Sequence, residues 1–215
     1  MIFYAHSRRD PDKSMWQELR KHLDEVGALA EQFAPEEWKA HARVAGLWHD
    51  AGKYQLKFQQ YIEKDVEASN EGAEGRRIQH AIVGAAHAWR KGTDLLPIAL
   101  AVQAHHGRLK NAGLLEDAIT NVGAALLHDA ERDGLPQDLL EVALPQLSPE
   151  AKDRLYLALA TRFLFSSLVD ADSLNTEAWD RGEARQADFA SIAVLATRAE
   201  AACREKSRGA LNRID

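Results

Sequence analysis

The stretch Leu47-Trp48-His49-Asp50-Ala51-Gly52-Lys53 constrains this chain more than any other. An imidazole and a carboxylate stand side by side at the end of an apolar run. Such groups are costly in a core unless they are hydrogen-bonded, ion-paired or bound to a cation. Whatever fold forms must therefore bring partners to them. Imidazole with carboxylate is a donor set for a divalent cation. Gly52 is expected to let the chain leave the helix in a left-handed conformation. Lys53 is expected to fold back as a fixed positive charge. The dyad alone is weak evidence, since His128-Asp129 repeats it beside the charge run Ala130-Glu131-Arg132-Asp133, which reads as a solvated face.

The surrounding pattern is helical. Trp16, Leu19, Leu23, Val26, Leu29 and Phe33 predict a first helix from Ser14, with Ser14 as its cap. Pro35 suits the first position of a second, with Glu36 and Glu37 in its opening turn, running through Trp38, Ala42 and Ala45 into the dyad. Phe58, Tyr61, Ile62 and Val66 predict a third, and 68–77 a polar loop. Further helices are expected over 78–89, ended by Gly92, over 95–105, ended by Gly107, and over 114–128, before a turn at Asp133-Gly134-Leu135-Pro136. Another starts at Ser148-Pro149-Glu150 and carries the apolar run 155–168 to Asp170 and Asp172; the last covers 186–205. Residues 1–13 read as an extended arm. No segment alternates with period two beside a hairpin signal, so no strand is expected. The architecture expected is an all-α bundle, one domain over 1–215.

Composition narrows the function classes. Asp and Glu number 33 against 27 Lys and Arg, a formal charge of -6. That argues against a broad non-specific nucleic-acid binder. It leaves room for a nucleic-acid enzyme, because bound divalent cations add positive charge where a phosphate must sit. No apolar run reaches ~18 residues, the first residues lack the build of a signal peptide, and Cys203 has no cysteine to pair with. A cytoplasmic protein without a membrane segment is expected.

Several histidines fall where helices can converge on the dyad. His22, between Leu19, Leu23 and Val26, lies on a buried face; its plain reading is a core histidine bonded to a carbonyl. His80 precedes the small residues Ala81, Gly84 and Ala85, which leave room for close approach. Adjacent helical residues point about 100° apart. His105 and His106, however, stand at a helix end before Gly107, where both rings can turn inward. Asp170 closes the set. Asp172 lies about 200° around the same helix, so only one of the two can face a given metal. Leu159, Phe163 and Ser166 favour Asp170 as the inward one, with Asp172 left to cap or face solvent. Five imidazoles and two carboxylates exceed one four-coordinate site and suit two metals sharing Asp50. Nitrogen and oxygen donors without thiolate point to Mn, Fe, Ni, Co or Zn rather than Ca. His6 and His41 have no partner at useful spacing. His87 is two turns, ~10 Å, from His80.

The order His22, His49-Asp50-x-x-Lys53, His80, His105-His106, Asp170 resembles the HD nuclease domain of type I CRISPR-associated helicase–nucleases. The resemblance covers nearly the whole chain, including Tyr4-Ala5-His6-Ser7, His22-Leu23-Asp24-Glu25-Val26, His105-His106-Gly107 and the run from Phe165 to Asp172. It implies an HD-domain helical bundle with a dinuclear site in its core. His22, His49, Asp50 and Asp170 would hold one divalent ion, and Asp50, His80, His105 and His106 the other, as Mn, Ni, Co, Fe or Mg. The family's last aspartate can also be laid over Asp172. The resemblance further implies a single-stranded DNA nuclease, endo or 3'–5' exo, with Asp50 and Lys53 in catalytic roles. Its partner would be a CRISPR helicase, fused beyond Leu211-Asn212-Arg213 or on a separate chain, and through it the crRNA-guided surveillance complex. Arg76, Arg77, Arg108 and Lys110 flank ligand segments and are candidates to guide the DNA backbone. Two alternatives stay open: an HD-type phosphohydrolase of small nucleotides, and a non-catalytic docking module with structural metals.

Overall fold

Trp16 does not open a helix. Tyr4–His6 (β1) pairs antiparallel with Gln17–Glu18 (β2), a two-stranded ribbon where no strand was expected. Strands of three and two residues are too short for period-two alternation to be visible. Ser14 is not the cap: its backbone N–H donates to Asp12 Oδ1, and α1 (Leu19–Phe33) begins after Glu18. The N–H of Leu19 donates to Phe3 O at 2.8 Å, so the amino-terminal arm is tied to the start of α1.

The computed structural model describes residues 1–9, 12–67, 79–147 and 153–183, with positions 197 and 200. The chain divides into two compact units, Met1–Ala184 and Arg185–Asp215. The sequence had suggested one domain over 1–215; the fold and site described below belong to the first unit. The expected loop over 68–77, the Ser148-Pro149-Glu150 start and nearly all of the helix expected over 186–205 lie outside the described residues.

After α1 a short 3₁₀ turn, Glu36–Trp38, leads into α2 (Lys39–Trp48); the glutamates lie in that turn rather than in the first turn of α2. The dyad follows at once, and a second 3₁₀ turn, Ala51–Tyr54, carries Lys53. Then come α3 (Leu56–Glu67), α4 (Ala81–Lys91, closed by Gly92) and α5 (Leu96–Ala104). The helix expected over 114–128 is α6 (Ala112–Ala118) and α7 (Ala124–Asp133), joined through a π-helical segment, Ile119–Gly123. A short α8 (Gln137–Leu140) precedes α9 (Arg154–Arg181), whose N-terminus is capped by Asp153 Oδ1 accepting from Tyr156 N. The bundle is helical, as expected. Its core joins Leu23 and Val26 of α1, Trp48 of α2, Ile98 of α5, and Leu164 and Leu168 of α9. No helix among the described residues is long and apolar enough to cross a membrane.

Two glycines let the backbone around the dyad close up. A Cβ on Gly84 would come 1.9 Å from Trp48 O, so α4 lies directly on the end of α2. A Cβ on Gly52 would come 2.3 Å from His80 O. Gly52 is not in the left-handed region, contrary to expectation. Its absent side chain serves contact: it lets the residues just after the dyad touch the backbone of His80.

Candidate metal centre

Asp50 is the point on which the site converges. Its carboxylate is buried at the end of α2, and its two oxygens face different groups. Oδ2 lies 3.5 Å from His22 Nε2, 3.4 Å from His49 Nε2 and 2.7 Å from Lys53 Nζ. Oδ1 lies 3.2 Å from His80 Nε2 and 3.5 Å from His105 Nε2. The opposed Nε2 atoms of His80 and His106 are 2.6 Å apart, and those of His22 and His49 are 3.2 Å apart.

Three of these rings are held in one tautomer from behind. His49 Nδ1 donates to Gly46 O at 2.7 Å, and His105 Nδ1 to Val102 O at 2.6 Å, each one helical turn back. His22 Nδ1 donates to Asn175 Oδ1 at 2.8 Å. A neutral imidazole with Nδ1 protonated carries its lone pair on Nε2, and all three Nε2 atoms point at the carboxylates. His105 and His106 stand just past the end of α5, with ring centroids 3.9 Å apart and both turned inward.

The two candidate aspartates on α9 lie opposite to the orientation expected. Asp170 is exposed, and the residues that seemed to turn its face inward are exposed too: Leu159 by 53% and Phe163 by 51%. The buried stripe of α9 is Leu164, Leu168, Ala171 and Asn175. Asp172 borders that stripe. Its Oδ1 is 3.5 Å from both His22 Nε2 and His49 Nε2. Apolar side chains on the outer face of α9 mimic a core face, because hydrophobicity marks a core face only where something packs on it.

The electrostatics describe a site short of positive charge. Burial alone would disfavour a charged His49, but Asp50 and Asp172 on either side outweigh it and push its pKa up to about 10. Burial likewise works against the Asp50 carboxylate, yet Lys53, His49 and His80 hold its pKa well below the usual range. Asp172 is lowered against burial by His49 and His22. His106, by contrast, is pushed down to about 3 by partial desolvation of its ring and by the neighbouring His105. Asp50 Oδ1 and His105 Nε2 are buried without a hydrogen-bond partner.

These observations fit divalent cations. Donor atoms from Asp50, His80, His105 and His106 lie within 4.8 Å of one another, as do those of His22, His49 and Asp50, and those of His49, His105 and Asp172. Lone pairs opposed at 2.6 and 3.2 Å repel unless a cation or proton lies near both, and a bound metal displaces such protons. The orphaned Asp50 Oδ1 and His105 Nε2 gain a partner in the same way.

The family model for the HD domain of Cas3 matches residues 4–196. The chain belongs to the Cas3 HD-domain family. Membership implies metal-dependent nuclease chemistry in a CRISPR setting, and the buried cluster of histidine and aspartate fits it. No curated protein matches the chain.

Within this HD domain Lys53 is buried. It donates to Ala5 O at 3.0 Å as well as pairing with Asp50, so it faces the carboxylate and the β1 backbone rather than open solvent. Arg76 and Arg77 lie outside the described residues. Arg108 and Lys110 are exposed on the segment after His106. Lys110 lines a cleft of about 580 Å³ with His80, His106, Gln79 and Gln103. The second dyad is solvated as expected: His128 is exposed, and Asp129 pairs with Arg132 and Lys57. His87 is structural, set edge-on to Trp48 and bonded to Leu140 O.

Two residues near the site escaped the sequence reading. Asn175 accepts from His22 and from Gln17 Nε2 on one oxygen, while its amide donates to Glu25 Oε2 at 2.7 Å. Its signal was a polar side chain in register with Leu168 and Ala171. His6, set aside for want of a partner, meets His22 edge-on at 5.3 Å and stacks on Trp179. Nothing in local spacing announces that contact, because β1 brings it from outside the helical pattern.

Proposed function

We propose that this HD domain hydrolyses phosphodiester bonds in single-stranded DNA, as an endonuclease, a 3'–5' exonuclease or both, using two divalent ions. The observation that carries the reading is the sharing of Asp50 between two donor groups, one of which opens through His80 and His106 onto an exposed cleft. His22, His49, Asp50 and Asp172 would hold the first ion, and Asp50, His80, His105 and His106 the second. Bound there, divalent ions supply charge to a phosphate oxygen and make water acidic enough to attack phosphorus near neutral pH.

The chain's own residues do the rest. Backbone carbonyls and Asn175 fix the imidazole tautomers, so the donors are oriented before substrate arrives. Lys53 acts on Asp50, holding it ionised and aimed; it is a positioning residue more than a cation for the reacting phosphate. Arg76, Arg77, Arg108 and Lys110 guide the strand. The domain works in the cytoplasm beside a CRISPR helicase, fused or separate, and through it with the crRNA-guided surveillance complex.

The test is cleavage of an unstructured single-stranded oligonucleotide with added Mn, with and without chelator. Cleavage that needs the metal and disappears in His49→Ala supports the reading. Intact DNA with metal-loaded protein, together with hydrolysis of a small nucleotide from a panel, replaces it with phosphohydrolase chemistry.

A further inference from the structure

Two clefts on this molecule share a wall. The first, about 580 Å³, holds His80 and His106. The second, about 360 Å³, lies between the segment after α5 and the first half of α9, and holds Thr161 and Arg162. Lys110 lines both. Among the described residues neither cleft is lined by an aspartate or glutamate. That is notable in a chain with six more acidic than basic residues, since 33 Asp and Glu stand against 27 Lys and Arg.

The basic residues there are also free of carboxylate partners. Among the described residues Arg8, Arg20, Arg43, Arg90, Arg132 and Arg181 each pair with at least one, while Arg9 and Arg154, outside both clefts, do not. Arg162 makes a hydrogen bond to Ala158 O and, among the described residues, no ion pair; Lys110 and Arg108 likewise make none. A third cleft, of about 540 Å³, supplies the contrast. It is lined by Glu18, Glu25 and Glu183 with Lys21. A polyanion is repelled there and attracted along the acid-free pair.

We infer that Lys110 and Arg162 form a backbone-binding subsite for single-stranded DNA, which carries the strand from His106 across the segment after α5 onto α9. The inference rests on the nuclease reading for what happens at the metals and adds the path and a specific residue, Arg162. Cations without carboxylate partners hold phosphates without reading bases, so the subsite is sequence-tolerant. It sets a minimum strand length: an oligonucleotide too short to reach from the metals to α9 gains nothing from Arg162.

The experiment uses the full chain. Affinity for a fluorescent single-stranded oligonucleotide is measured by anisotropy over a salt series, in chelator so that nothing is cut. Hydrolysis of bis(p-nitrophenyl) phosphate, which reaches only the metals, is measured separately with Mn. Arg162→Glu and Lys110→Glu are compared with Lys91→Glu, an equal charge change at the exposed C-terminal end of α4, a residue that lines neither cleft. Arg162→Gln gives the milder case. The expected result is at least a tenfold loss of oligonucleotide affinity in the first two. The slope of log affinity against log salt becomes shallower by about 0.7 for each lost phosphate contact. Lys91→Glu changes little, and hydrolysis of the small ester stays at the wild-type rate in Arg162→Glu, Arg162→Gln and Lys91→Glu. Equal loss in Lys91→Glu, unchanged binding in Arg162→Glu, or no binding by wild type overturns the subsite. If the small ester is not hydrolysed while Arg162 still governs binding, the nuclease reading fails and the subsite stands.

Discussion

On one side of Asp50, His22, His49 and Asp172 meet beneath α1 and α9, with both imidazoles fully buried and Asn175 bonded behind one of them. On the other, His80 lies at the edge of the core, and His106 is exposed beside a cleft. Both groups use the same carboxylate, one oxygen each. The sealed half is wrapped by the longest helix and fixed by a network from Gln17 through Asn175 to Glu25. In the open half His105 is braced by Val102 O, and His80 and His106 face each other at 2.6 Å. The contrast is also electrostatic, since His49 is pushed up to about 10 between two carboxylates while His106 is pushed down to about 3. On the proposed two-ion reading, one cation would be enclosed by the bundle and the other would face the cleft beside His106.

The comparison can be broken most sharply at the shared residue. Asp50→Ala removes a donor from both halves and leaves Lys53 buried without its carboxylate. Loss of one partner of a buried pair costs about 3–5 kcal/mol. Metal content by mass spectrometry should fall to background, cleavage should fall by more than for any single histidine, and the urea midpoint should drop. A stable, half-loaded Asp50→Ala protein would show that the halves do not share this residue.

A smaller effect is expected at α9. Asp172→Asn should weaken metal binding in the sealed half and lower cleavage by about a hundredfold or more, whereas Asp170→Asn, on the exposed side, should match wild type. Asn175→Ala acts one layer out. Partners that orient a ligand typically contribute 10–100-fold in metal affinity. The loss should fall on the sealed half, with the open half keeping its ion. Equal loss of both ions would mean that the network supports the bundle rather than one half of the centre.

The smallest effect separates fold from site. His87 is pushed down to about 4 by burial and by Arg90, so it stays neutral in the fold and takes a proton on unfolding. Its folded pKa lies below the ordinary 6.5, so stability is lost as pH falls from about 6.5 toward 4. His87→Gln should flatten that decline, by roughly 2–4 °C in Tm between pH 7 and pH 5, without changing metal content. An unchanged acid profile would place the sensitivity in the metal centre.

The helical character of the bundle and the convergence of five histidines on Asp50 were legible in the sequence. Period and burial are local properties, and a polar ring on an apolar face must find a partner wherever the helix packs. Choosing Asp172 over Asp170 was not legible, because the exposed Leu159 and Phe163 mimic a core face until the packing of α9 is known. Gly52 was recognisable as special, but its reason, contact with the His80 backbone, depends on where α4 lies. The β1–β2 ribbon, the arrival of His6 beside His22, the clamp of Asn175 and the bond from Lys53 to Ala5 O belong to tertiary structure alone. Each joins residues more than forty positions apart or elements of two or three residues. The sequence determined which donors would be buried; the packing of α9 and β1 against α1 decided which carboxylate they face and which half of the centre stays open.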